Sequence, residues 1–186
     1  MKIIINNEND LKKFYKHLKF YKYLPIKFES DNNEIKDIIY SLNIKNRNKR
    51  ITYIYDYSCK FIDNYWKNIN YCGFKCNKCY CNQINGCCRL CKYQSSSGCT
   101  TSNLTCKFYY CTEVLKRHKV LTMNDLKILK LYSFRQRIII KHSYFNSREE
   151  VLFDLKYSLI IVFAFKLIIK NIIRIIYIKK RKKSLL

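Results

Sequence analysis

The segment ITYIYDYSCKFIDNYWK, residues 51–67, reads two ways, and the choice between them sets the fold class. Over its first residues Ile51, Tyr53, Tyr55 and Tyr57 alternate as in a half-buried strand. Over its whole length Ile51, Ile54, Tyr55, Cys59, Ile62, Tyr65 and Trp66 share one helical stripe, while Asp56, Lys60, Asp63, Asn64 and Lys67 share the opposite one. The helical period accounts for the longer window, so the segment is expected to be a helix. Asp56 with Lys60 and Asp63 with Lys67 fall at the i,i+4 spacing that supports it. The stripe places Cys59 inside, and cysteine is among the most often buried residues, so Cys59 is read as a core side chain rather than a ligand.

Outward from this helix the chain keeps the same period. Residues 10–24 set Leu11, Phe14, Tyr15, Leu18 and Tyr21 on one face, with Asn9 as cap and Pro25, the only proline, as stop. Residues 31–44 repeat the pattern through Ile35, Ile38, Ile39 and Leu42 behind the cap candidates Asp31 and Asn32. Lys45–Arg50 reads as a basic connection. Downstream, Thr122 with Asp125 opens a further helix that turns Leu126, Ile128 and Leu129 inward, and residues 134–145 fit helix and strand alike. Ser147 with Glu150 forms a capping box ahead of an apolar run, and Glu149, Glu150 and Asp154 crowd the positive end of that helix. Favourable interaction with the helix dipole is a sufficient reason for those acids, so no catalytic role is assigned to them.

Between the helical arms lies Cys72–Cys111, which holds ten of the eleven cysteines and all three glycines. Each glycine adjoins a cysteine, as a backbone folding tightly round an ion would require. No carboxylate lies inside the stretch, whereas Lys75, Lys78, Arg89, Lys92 and Lys107 do. Such cations lower thiol pKa values and offset thiolate charge. Cys76-x2-Cys79 and Cys88-x2-Cys91 have the spacing that turns two sulfurs toward one tetrahedral ion. Cys81, Cys87, Cys99, Cys106 and Cys111 supply thiols for a second ion or for an iron-sulfur cluster, although no C-x2-C-x2-C run is present. The nine cysteines 76, 79, 81, 87, 88, 91, 99, 106 and 111 are thus the candidate metal ligands, with Zn2+ the expected cofactor and an iron-sulfur cluster the alternative. His118 is read as a surface residue, and Asn103-Leu104-Thr105 as a chance match to the glycosylation pattern.

The order of a C-x2-C pair, the double cysteine Cys87-Cys88, and then CKYQSSSGCTTSNLTCKFYYC resembles the YkgJ-type cysteine-cluster family over about forty residues. Gly98-Cys99 and Cys106-Lys107-Phe108-Tyr109 are the closest parts, while Leu104-Thr105 stand where that family has Arg-Pro. The resemblance implies that Cys76, Cys79, Cys87, Cys88, Cys91, Cys99 and Cys106 bind zinc or an iron-sulfur centre. It also implies a second function class, a metal-dependent enzyme or maturation factor, since a related group includes flagellin lysine methylases.

The net charge of +24 is concentrated toward the end, with +13 on residues 112–186. Nucleic acid or an anionic membrane surface is therefore the expected partner of the C-terminal half. From Val151 to Ile178 the chain is almost continuously apolar and then ends in the cations Lys179–Lys183. Lys166, Lys170 and Arg174 interrupt the run, and its longest uncharged piece is nine residues, against the ~20 that a span requires. Two readings stand beside a span: a core helix with a basic tail, and a helix lying on the inner leaflet. Three early isoleucines are too short a run for a secretory signal, so a cytoplasmic, membrane-peripheral setting is expected. No P-loop, dinucleotide or Ser-His-Asp fingerprint is present, and no small-molecule substrate is identifiable. The expected architecture is mainly α: a helical segment over 1–71, the cysteine-rich metal-binding region 72–111, and a helical segment with a basic tail over 112–186.

Overall fold

A computed structural model describes residues 2–7, 9–14, 26–32, 35–69, 93–95 and 98–183. The described chain is mainly helical. In order it forms β1 (Lys2–Ile4), β2 (Lys27–Glu29), α1 (Lys36–Asn43), α2 (Arg47–Ile69), β3 (Gln94–Ser95), β4 (Gly98–Cys99), α3 (Leu104–Lys107) and α4 (Thr112–Arg117). A 3₁₀ turn (Lys127–Leu131) follows, then α5 (Phe134–His142), α6 (Arg148–Tyr157) and α7 (Ile160–Lys183).

Helix α2 takes up the whole of 51–67 and runs past it at both ends. Its expected inner stripe is the inner stripe: Ile51, Ile54, Tyr55, Cys59 and Ile62 are buried, with Trp66 partly covered. The same buried cluster takes in Ile35 just ahead of α1, Ile38 and Ile39 within it, Leu129 from the 3₁₀ turn, Ile139 and Ile140 from α5, and Val151 and Leu155 from α6. Each such aliphatic taken fully out of water contributes about 1.5–3 kcal/mol. The helix begins at Arg47 rather than after Arg50, because Asn46 accepts the Lys49 amide at 3.0 Å and starts it within the basic connection.

The two i,i+4 ion pairs expected along α2 are replaced by longer-range ones. Asp56 accepts a forked pair of hydrogen bonds from Arg148 at 2.7 and 2.6 Å, and Asp63 pairs with Lys107. At Asp56 the planar guanidinium of Arg148 matches the carboxylate better than a flexible ammonium one turn away, and at Asp63 the buried Lys107 ammonium needs a counter-charge that the exposed Lys67 does not. On the outer side of α2, Tyr53 and Tyr57 stack at 6.1 Å and continue the row from Tyr40 to Phe61. Tyr53 donates to Asp37 at 2.9 Å, which fastens α1 to this row.

Several predicted helix starts move. Residues 9–14 are helical, but Asn7 rather than Asn9 accepts the Asp10 amide, at 2.9 Å. The rest of the predicted 10–24 helix lies outside the described residues. Helix α1 begins behind Ile35 without a side-chain cap, since Asp31 and Asn32 are engaged with Asn6 instead. Those contacts sit beside the parallel pair β1–β2 (Ile3 opposite Phe28), to which Asn43 is clamped as acceptor from the Phe28 amide and donor to its carbonyl. Thr122–Asp125 is a turn leading into the 3₁₀ segment and not a helix. Asp125 accepts from both the amide and the hydroxyl of Thr122 at 2.7 and 2.8 Å, which closes the chain on itself. Leu126, Ile128 and Leu129 are buried as expected.

The ambiguous 134–145 region resolves to helix because Ser133 and Gln136 make a capping box, and the Ser147–Glu150 box forms as read. The apolar run from Val151 is not one helix. Arg135 donates to the carbonyls of Leu155 and Ser158, and Arg47 donates to that of Lys156 at 2.9 Å. Two guanidinium groups thereby satisfy the open end of α6, and Ser158 turns extended before α7 starts. Beyond Phe163, the buried anchor, the described side chains of α7 up to Ile176 are nearly all exposed, which overturns the reading of it as a core helix. Among the described residues no helix is long and apolar enough to cross a membrane.

Candidate metal centre

The described end of the cysteine-rich stretch is fastened to the helical body by polar side chains. Tyr55, fully buried on α2, donates its hydroxyl to the Ser102 carbonyl at 3.2 Å and accepts the Leu104 amide at 3.0 Å. Asn103 caps α3 by accepting the Cys106 amide at 3.0 Å, and its Nδ2 donates to the carbonyls of Ser143 and Asn146 at 2.7 and 2.8 Å. Thr105 donates to the Ile140 carbonyl. All three side chains reach outside their own element, so α2, α3 and the loop after α5 form one hydrogen-bonded unit. The structure gives Asn103 this interior role, and at 1% exposure it offers no room for a glycan.

That unit borders a half-buried sulfur. The loop held by Asn103 carries Phe145 at φ 62°, the only described non-glycine residue with positive φ. A bulky side chain there carries backbone strain of about 1 kcal/mol or more. Its amide donates to Cys106 Sγ at 3.4 Å. Tyr109 and Tyr144 meet edge to face at 5.8 Å beside it. Burial, and then the neighbouring Cys106 and Tyr109, hold the Tyr144 hydroxyl above its ordinary pKa.

Lys107 leads away from this sulfur. Its ammonium is buried, pairs with Asp63 and lies 5.7 Å from the centre of the Trp66 ring, while Trp66 donates to the Tyr110 hydroxyl at 3.2 Å. The sequence counted Lys107 among cations that would offset thiolate charge. In the fold a carboxylate matches that charge, so Lys107 is a structural link between α2 and α3.

Of the nine candidate ligands, Cys76, Cys79, Cys81, Cys87, Cys88 and Cys91 lie outside the described residues. Cys99 sits in β4, paired in register with Gln94. Cys106 lies in α3 and Cys111 precedes α4 as its N-cap residue, both partly exposed. Among the described residues no group of three or more His, Cys, Asp or Glu side chains converges as metal ligands do. Cys59 stands apart, as read from the sequence: burial pushes its thiol up to about 12, and it points toward the Ser102 carbonyl at 3.6 Å. A thiol held neutral in this way makes a poor ligand.

Tyr55, Asn103 and Phe145 were not singled out as site residues in the sequence. Asn103 three residues ahead of Cys106 was a legible cap signal, hidden by its overlap with the glycosylation pattern. Nothing local marked Phe145. No family model, no curated protein and no solved structure matches the chain.

Proposed function

We propose that the protein is a metal-stabilised binding module. In this reading the cysteines of the 72–111 stretch hold zinc, whose role is mainly structural, and the basic helical body meets a polyanionic partner. The observation that carries the proposal is the backbone amide of Phe145, kept in a strained conformation against Cys106 Sγ by the Asn103 clamp. Amide donors to sulfur stabilise a thiolate and orient it for a metal, whereas an idle thiol gains little from them. The residues that would hold the ion are Cys76, Cys79, Cys81, Cys87, Cys88, Cys91, Cys99, Cys106 and Cys111. Bound zinc would supply the folding free energy that this cysteine-rich, aliphatic-poor stretch lacks. The spacing resemblance to YkgJ-type proteins supports seven of these, all but Cys81 and Cys111, and keeps iron-sulfur as the second metal to test.

Metal analysis of anaerobically purified protein, with its visible spectrum, tests the proposal. Colourless protein with stoichiometric zinc, and loss of structure around Trp66 on chelation, are the expected results. A brown protein would assign iron instead. Metal-free protein that stays folded, with every thiol of the stretch rapidly titratable, would reject the module outright.

A further inference from the structure

Helix α7 is about 36 Å long at 1.5 Å per residue, and the body covers little of it. What fixes its rotation is chemistry on one side. Phe163 is buried, Lys166 donates to the buried Asp154 carboxylate at 2.7 Å, and Lys170 donates to Asn146. These three positions fall on one stripe, and Arg174 continues it by position. Two of the cations that break the apolar run are therefore turned to the body and bonded there. The opposite stripe, Ile161, Phe165, Ile168, Ile172 and Ile176, is exposed at each position, between 51 and 68%.

From this arrangement we infer that α7 docks in the plane of an anionic lipid bilayer, with the Ile161–Ile176 stripe in the acyl boundary. The inference names the polyanion left open in the proposed function and rests on that reading. Two observations choose lipid as the occupant. The exposed apolar arc spans roughly 160°, from Ile175 to Ile173, whereas pairing with a second copy needs only a narrow a/d seam. The sequence also ends the helix in five successive cations, Lys179–Lys183, as an anionic headgroup layer rewards.

Flotation of the full chain with phosphatidylcholine vesicles, and with vesicles of about a third phosphatidylserine, tests this. The expected result is recovery on the anionic vesicles at least tenfold above the neutral ones. Ile168→Ser with Ile172→Ser, both exposed and so harmless to folding, should lower it by about tenfold or more with unchanged circular dichroism. Equal recovery on both vesicle types overturns the inference, as does binding that survives the double substitution. So does a concentration-dependent dimer that the substitutions dissolve, or a basic tail shielded from protease on the far side of the vesicle. Retention on single-stranded RNA with no vesicle binding would move the partner to nucleic acid and leave the proposed function standing. Failure of both arms would remove its polyanion part as well, while the metal analysis would be unaffected.

Discussion

Asn103→Ala should destabilise the protein by about 3 kcal/mol. The change removes a helix cap, for about 1 kcal/mol, and strips the Ser143 and Asn146 carbonyls of their donor, for about 1 kcal/mol each. Against a whole-domain stability of about 5–15 kcal/mol this is a large fraction. At 2–4 °C per kcal/mol for a chain of this size, the midpoint should fall by about 6–12 °C. Trp66 is the only tryptophan and bonds to Tyr110 in the chain just beyond α3, so its fluorescence reports on this end of the cysteine stretch during a urea or thermal melt. Asn103→Asp separates the two contributions: it keeps the cap oxygen but turns a carboxylate toward two carbonyls, and should be at least as damaging as alanine. A loss below about 1 kcal/mol for alanine, or an aspartate variant closer to the parent, would show that the clamp does not hold the loop around Cys106.

The Lys107–Asp63 pair should respond asymmetrically. Asp63→Ala leaves a buried ammonium unmatched and should destabilise by about 3 kcal/mol, while Lys107→Met frees a carboxylate that water already reaches and should cost about 1 kcal/mol or less; equal losses in urea melts would contradict the burial. Arg148→Lys keeps the charge but loses the fork onto Asp56, and because both side chains are a third to nearly half exposed the loss should be only about 0.5–1 kcal/mol and smaller in high salt. The Cys59 thiol, raised in the folded state, should resist iodoacetamide at pH 8 until the chain unfolds, as read by mass spectrometry. Its raised pKa also means that it favours the native state fully below the unfolded value near 9 and progressively less as pH climbs toward about 12. Stability that rises over that interval would contradict the assignment.

Much of the body was legible because its signals are periodic and local. The α2 stripe, the burial of Cys59 and the Ser147 box each follow from residues within a few positions of one another. The misplaced starts share one cause: Asp31, Asn32 and Asn9 are good caps by type, but Asn6 or a neighbour decided which of them was used. The ion pairs of α2 failed for a related reason, since Arg148 and Lys107 stand far along the chain. At the candidate centre, the link between Asn103 and the loop at 143–146 depends on packing that no spacing encodes. Most of the proposed ligands fall outside the described residues, so the cysteine reading still stands on spacing and on Cys106.

The joint between α6 and α7 contains neither proline nor glycine; it is held open by Arg135 and Arg47 drawing on carbonyls that would otherwise continue the helix. A bend of that origin is an electrostatic latch rather than a steric one. Releasing it would let the two helices fuse into a single rod of about 54 Å and swing the basic C-terminal end to a new heading. The aim of the whole C-terminal arm therefore depends on two arginines from earlier in the chain as well as on the bonds that Lys166 and Lys170 make themselves.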